Sequence, residues 1–153
     1  MIVAILVTIL LVVTTTLVLY ETLRFTSNHL TELPLPPRAR ILGVVLAAFV
    51  GHTISVWIYA VAYWLLVVHW PIGSIAGLPV QDFQDCLYFS VVTYTTLGFG
   101  DQVPVSHLRL IAGVEALNGL VLIGWSVSFT YLVMERYWPM HAPRLGRRTG
   151  RDQ

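Results

Sequence analysis

Three long apolar runs constrain this chain more than any other feature. They cover Ile2 to about Tyr20, Ile41 to about Val68, and Leu108 to about Met134. A helix needs roughly 20 residues to cross the hydrocarbon core of a bilayer, and all three runs qualify. The second and third would each reach about 40 Å at 1.5 Å per residue, so both are expected to tilt or to protrude. Composition agrees. Hydrophobic residues make up 56% of the 153 residues and charged residues 11%, against about 25% charged in a typical soluble domain. So little polar surface cannot cover a water-facing globule. The net charge of +1 gives no basic footprint for a nucleic-acid partner.

The first run starts at Met1 with no positive n-region and no clear small-residue cleavage site, so it reads as a retained span rather than a cleaved signal. The expected organisation is an additional N-terminal helix over 1–24, then a cytoplasmic link over 25–40 in which Pro34, Pro36 and Pro37 break any helix. A membrane module follows over 41–137, and a basic tail over 138–153. All nine basic residues are arginines. Arg38 and Arg40 fall on the link, Arg24 lies just before it, and Arg136, Arg144, Arg147, Arg148 and Arg151 follow the third run. The segment 70–107 has no arginine but carries Asp82, Asp85 and Asp101. Positive residues stay on the cytoplasmic side, so the link and tail are expected inside and the 70–107 segment outside. With three spans, the N-terminus is then also outside. Trp57, Tyr59, Tyr63, Trp64 and Trp70 suit an interfacial belt at the outer end of the second run. The arginine-rich tail suits anionic lipid head groups.

The outer segment is more than a loop. Residues 82–95 are apolar enough for a short helix, too short to cross a membrane, and begin with acidic residues that favour a helix N-terminus. Thr-Thr-Leu-Gly-Phe-Gly-Asp follows, over 95–101. A short helix and a glycine-bearing extended stretch between two spans form a re-entrant loop. Such non-helical backbone survives at membrane depth only where it lines water or is buried in protein.

On these residues, Tyr88–Pro104 resembles the pore loop of potassium channels, and Ile41–Tyr137 resembles their two-helix pore module. The resemblance implies an all-α membrane protein of three transmembrane helices plus a re-entrant pore helix and selectivity filter. Its parts are an outer helix over 41–69, a pore helix over 82–95, a filter over 96–101 and an inner helix over 107–136. It further implies a homotetramer in a bacterial-type inner membrane that conducts K⁺, with ions held at Thr96, Leu97, Gly98 and Phe99. Backbone carbonyls from four copies replace the water around the ion, and the φ > 0 conformations this needs come cheaply to glycine, here Gly98 and Gly100. The helix end at Thr95 aims its negative pole at the ion path. No cofactor is expected beyond the permeant ion. Filter support is expected from Tyr88, Phe89, Thr95 and Asp101, with the Tyr88 hydroxyl in reach of Asp101. The sequence departs from many family members at Phe99, Phe89 and Val92, which lack the hydrogen-bonding groups those members use there, so packing is expected to hold the filter.

In the third run, Gly119 and Gly124 are candidates for gating hinges or for close helix packing. Glu115 and Asn118 are unusual inside a span and default to functional candidates. An unpaired carboxylate is costly in apolar surroundings. Glu115 is therefore expected either behind the filter, bonded to a pore-helix group such as Thr93 or Tyr94, or hydrated in the ion cavity; the buried arrangement is favoured. His52 is read as a polar helix contact and the single cysteine, Cys86, as an apolar filler. No nucleophile–base pair or metal cluster suggests an enzyme. Two alternatives stay open: a channel passing both Na⁺ and K⁺, or a non-conducting subunit that regulates another channel.

Overall fold

The computed structural model describes residues 1–32, 34, 36–70, 73–77 and 82–137. The basic tail expected over 138–153 lies outside the described residues. Helix α1 runs Ile2–Glu32, α2 Pro37–Trp64, α3 Phe83–Tyr94 and α4 Leu108–Tyr137. Three of these are long and apolar enough to cross a membrane: α1 over Ile2–His29, α2 with its continuation over Pro37–His69, and α4 over Leu108–Tyr137. Their outward surfaces are lined with large apolar side chains such as Leu10, Leu46, Phe49, Leu117 and Val121, all more than half exposed. Such a surface calls for lipid or neighbouring protein against it rather than water.

The first helix continues eight residues past the expected boundary at 24. Residues 25–32 contain no proline, and Thr22 and Thr26 close their hydroxyls onto the carbonyls of Val18 and Thr22 at 2.7 Å, which a continuing helix tolerates. The break comes at the prolines. Pro36 is extended (φ −64°, ψ 151°) and caps α2 with Pro37 in its first turn, where the missing N–H costs nothing. At its far end α2 widens into a π-helical turn over Leu65–His69, closed by Trp70 N–H donating to Leu65 O at 2.9 Å.

Helix α3 is wedged between α2 and α4, and α1 packs against both α2 and α4. Close approach has a local cause. A Cβ on Gly51 of α2 would lie 2.9 Å from Leu19 Cδ1 of α1, so glycine lets the two helices meet here without displacing the end of the Leu19 side chain. Tyr20 of α1 also stacks on Trp125 of α4, with ring centroids 6.3 Å apart. The common core gathers Leu19, Tyr59, Tyr63, Phe89, Tyr94, Leu108 and Leu122.

Two strands were not anticipated. Strand β1 (Gly73–Gly77) pairs antiparallel with β2 (Gln102–Ser106), in a register that sets Gly73 opposite Ser106 and Gly77 opposite Gln102. The ribbon ties the approach to α3 to the chain leaving the candidate filter. The Met1 ammonium lies 3.2 Å from His107 Nε2, so the start of α1 shares an end of the molecule with this ribbon.

Candidate functional site

The short helix α3 is defined by its ends. Asp82 is extended and forms a reciprocal capping box with Asp85, whose Oδ2 accepts from Asp82 N–H at 3.1 Å. That satisfies donors a helix start leaves orphaned. At the other end Thr95 is the cap, and its hydroxyl donates to Val91 O at 2.7 Å. Helix C-termini leave carbonyls without intrahelical donors. Here the next residues supply them: Thr96 N–H donates to Thr93 O at 2.9 Å, and Leu97 and Gly98 N–H both donate to Val92 O, at 3.0 and 3.3 Å. The candidate filter is thus hung from the last turn of α3 by its own amides.

Its backbone alternates. Thr96, Gly98 and Gly100 have φ of 58°, 54° and 83°, while Leu97 and Phe99 between them are not in the positive region. A Cβ at Gly98 or Gly100 would meet nothing within 4 Å. Conformation rather than space therefore calls for glycine at these two positions. Thr96 adopts the same left-handed φ without being glycine, a strained state of the kind concentrated at functional sites. Sequence reasoning expected the positive φ at the glycines and not at Thr96. On the single chain Leu97 and Phe99 are 57% and 65% exposed.

The supporting residues divide. The Tyr88 hydroxyl donates to Asp101 Oδ2 at 2.7 Å, and Asp101 Oδ1 accepts from Gln102 N–H at 3.0 Å. The bond to Asp101 holds the Tyr88 hydroxyl above its usual pKa, so it keeps its proton throughout the neutral range. Phe89 is buried edge-on against Tyr63, with centroids 4.9 Å apart at 78°. Gly77 of β1 sits directly on this region: its φ is 110°, and a Cβ there would lie 1.9 Å from Asp101 O. A cavity of about 350 Å³ lined by Tyr88, Phe89, Val92, Gly98, Asp101 and Gln102 lies behind the filter backbone.

Behind α3 lies a buried polar seam. Glu115 is fully buried. Its Oε2 accepts from the Tyr63 hydroxyl at 2.5 Å and its Oε1 from Ser90 Oγ at 2.6 Å. Of the two arrangements expected for Glu115, the hydrated cavity position is therefore not adopted. Its pore-helix partner is Ser90 instead of Thr93 or Tyr94; the Tyr94 hydroxyl meets His52 Nδ1 of α2 instead, at 2.9 Å. One turn on, Asn118 Nδ2 donates to Thr15 Oγ1 of α1 at 2.8 Å and to the Tyr59 hydroxyl at 3.3 Å. His52 bridges the Tyr94 hydroxyl and Ser126 Oγ, both at 2.9 Å.

The inner-helix glycines behave differently from each other. A Cβ on Gly119 would lie 2.1 Å from Tyr94 O, whereas one on Gly124 would meet nothing within 4 Å. Gly119 is where α4 lies against the end of α3. Ser90, Thr15 and Gly77 escaped the sequence reading, and Tyr63, expected with Tyr59 in an interfacial belt, is instead fully buried, as is Tyr59. Each is an ordinary residue whose significance comes from a partner far along the chain.

A short capped helix that ends in alternating backbone, set between two spans, is the architecture of an ion-conducting loop, and a model of the family described as "Ion channel" matches residues 43–136. The chain belongs to the ion channel family. As an ion channel it is a multi-pass, all-α membrane protein and not an enzyme, and the two-stranded ribbon is a small addition to that plan. One re-entrant loop makes one wall of a pore, so the channel is an assembly of subunits. Two curated relatives are similar. Two-pore potassium channel 1 of Arabidopsis thaliana is 44% identical over 56 residues, which cover 36% of this chain and 15% of the relative. Two pore potassium channel b of Oryza sativa subsp. japonica is 31% identical over 93 residues, covering 60% and 24%. The chain therefore spans less than a quarter of each relative's length in these matches. No solved structure matches significantly.

Proposed function

We propose that four copies of this chain surround one axis and pass potassium passively through a filter lined by the backbone of Thr96–Gly100, with K⁺ held at Thr96, Leu97, Gly98 and Phe99. The observation that carries this reading is the alternation of positive φ at Thr96, Gly98 and Gly100. Alternating handedness turns successive carbonyls to one side, and a ring of carbonyls is the ligand set that replaces potassium's hydration shell. The relatives described as potassium channels support the same ion. The exposed Phe99 ring and the cavity behind the filter suit a contact between neighbouring copies, with the ring of one filling space beside the pore helix of the next.

The proposed orientation puts Arg38, Arg40 and Arg136 in the cytoplasm and the β-ribbon outside, in the inner membrane of a bacterial-type cell, with tail arginines near anionic lipids. Arg109 is an outward exception. It is exposed and donates to Pro104 O at 3.2 Å, at the ribbon end of α4. The deciding experiment is recording from purified protein in planar bilayers with K⁺ and Na⁺ on opposite sides. The reversal potential should follow the potassium gradient. Equal permeability would favour a channel passing both ions, and no current from a correctly inserted protein would favour a non-conducting subunit.

A further inference from the structure

The carboxyl group of Glu115 is the point at which three helices meet. It leaves α4 and takes the Ser90 hydroxyl of α3 at 2.6 Å and the Tyr63 hydroxyl of α2 at 2.5 Å. Glu115, Ser90 and Tyr63 are all fully buried, so no water competes for these bonds, and a buried partner left unsatisfied is costly. Ser90 lies two residues before Val92, whose carbonyl holds the amides of Leu97 and Gly98. A shift of α3 at Ser90 is therefore passed to the filter backbone through one rigid turn of helix.

We infer that Glu115 is a positioning residue for ion selection: it fixes the height of the pore helix against the outer and inner helices, and through Ser90 and Val92 it sets the filter geometry. The inference rests on the potassium-selective reading above. Shape and hydrogen bonding are what the brace requires, not negative charge. The geometry at Ser90 shows why. Its one hydroxyl proton has two acceptors in range, Glu115 Oε1 at 2.6 Å and Val56 O at 2.9 Å. A glutamine amide at 115 fits the same site: its N–H donates to Ser90 Oγ, Ser90 turns its proton to Val56 O, and Tyr63 donates to the amide oxygen. Aspartate keeps the charge but is one methylene shorter and cannot span to both hydroxyls.

The test is the Na⁺/K⁺ permeability ratio of Glu115→Gln, Glu115→Asp and Ser90→Ala channels beside the wild type in planar bilayers. The brace predicts that Glu115→Gln stays within about twofold of the wild type. Glu115→Asp and Ser90→Ala should each raise sodium permeability about fivefold or more, the scale expected on losing one buried hydrogen bond. A Glu115→Asp, Ser90→Ala double variant should shift by less than the two single effects combined, since the Glu115–Ser90 contact is common to both. If Glu115→Asp keeps selectivity and Glu115→Gln loses it, the carboxylate acts by its charge and the brace is wrong. A selective wild type with selective Ser90→Ala channels also overturns the brace, and Ser90→Ala decides alone should the position-115 variants fail to assemble. A wild type that passes both ions equally would instead remove the potassium reading underneath, a result seen before any variant is compared.

Discussion

At the scale of single residues, one contact that sharply limits change is Gly119 against the Tyr94 carbonyl. An added methyl would overlap backbone at 2.1 Å, and backbone at a helix end cannot swing aside as a side chain can. Overpacking of this kind costs about 1–3 kcal/mol. Gly119→Ala is thus expected to lower the thermal stability of the assembled channel, measured by size-exclusion chromatography after stepwise heating in detergent. An intact assembly with altered open probability would instead mark Gly119 as a hinge. Residue-level legibility was uneven for a physical reason. An acid within an apolar run has few tolerable environments, so the burial of Glu115 could be argued from sequence. Its partners could not, because Ser90 and Tyr63 lie 25 and 52 residues away and nothing local marks either one. Thr96 shows the opposite limit. Its left-handed φ belongs to the filter as a unit, and threonine's own preference gives no hint of it.

At the scale of elements, the three spans were legible because lipid demands long continuous apolar helices and little else satisfies a backbone there. The ribbon was not. Gly73–Gly77 lacks the bulky β-branched pattern of an independent strand, and it is ordered by pairing with Gln102–Ser106 across the whole of α3 and the filter. The partner of α1 was equally hidden. Thr15 looks like one more small residue in an apolar helix, yet its hydroxyl takes the Asn118 amide at 2.8 Å while itself donating to Leu11 O at 2.8 Å. This bond joins α1 to α4 one turn from the Glu115 brace. Thr15→Val preserves shape and removes the acceptor. Interhelical hydrogen bonds in membrane proteins average about 0.6 kcal/mol and reach about 1.7, so a modest loss of stability is expected, with selectivity unchanged. Urea- or heat-driven dissociation in detergent measures the first and bilayer recording the second. Full stability in Thr15→Val would mean that α1 is held by packing at Gly51 and Trp125 alone.

For the whole molecule, the membrane orientation turns on charge at the two ends. One end carries Met1, His107 and the ribbon, joined by the Met1–His107 contact. The other carries Arg38 and Arg40, with the Arg40 guanidinium 5.0 Å from the centre of the Tyr137 ring. Each arginine resists translocation and biases its end toward the cytoplasm, and Arg109 is too isolated to reverse that sum. Single cysteines at Ser74 in the ribbon and at Arg38 in the first turn of α2, both exposed, report the two ends. The native Cys86 does not confuse the readout. It is fully buried, and burial, with the Asp85 carboxylate beside it, pushes its thiol up to about 11. The proton therefore leaves only as pH rises toward that value, and at pH 7.5 the reactive thiolate is a very small fraction. In intact cells, a membrane-impermeant maleimide should label Ser74→Cys at once, label Arg38→Cys only after permeabilisation, and leave the wild type unlabelled. Labelling of Arg38→Cys from outside, with Ser74→Cys protected, would show the chain inserted the other way round. It would also put Arg38 and Arg40, at the start of α2, on the side to which the filter opens.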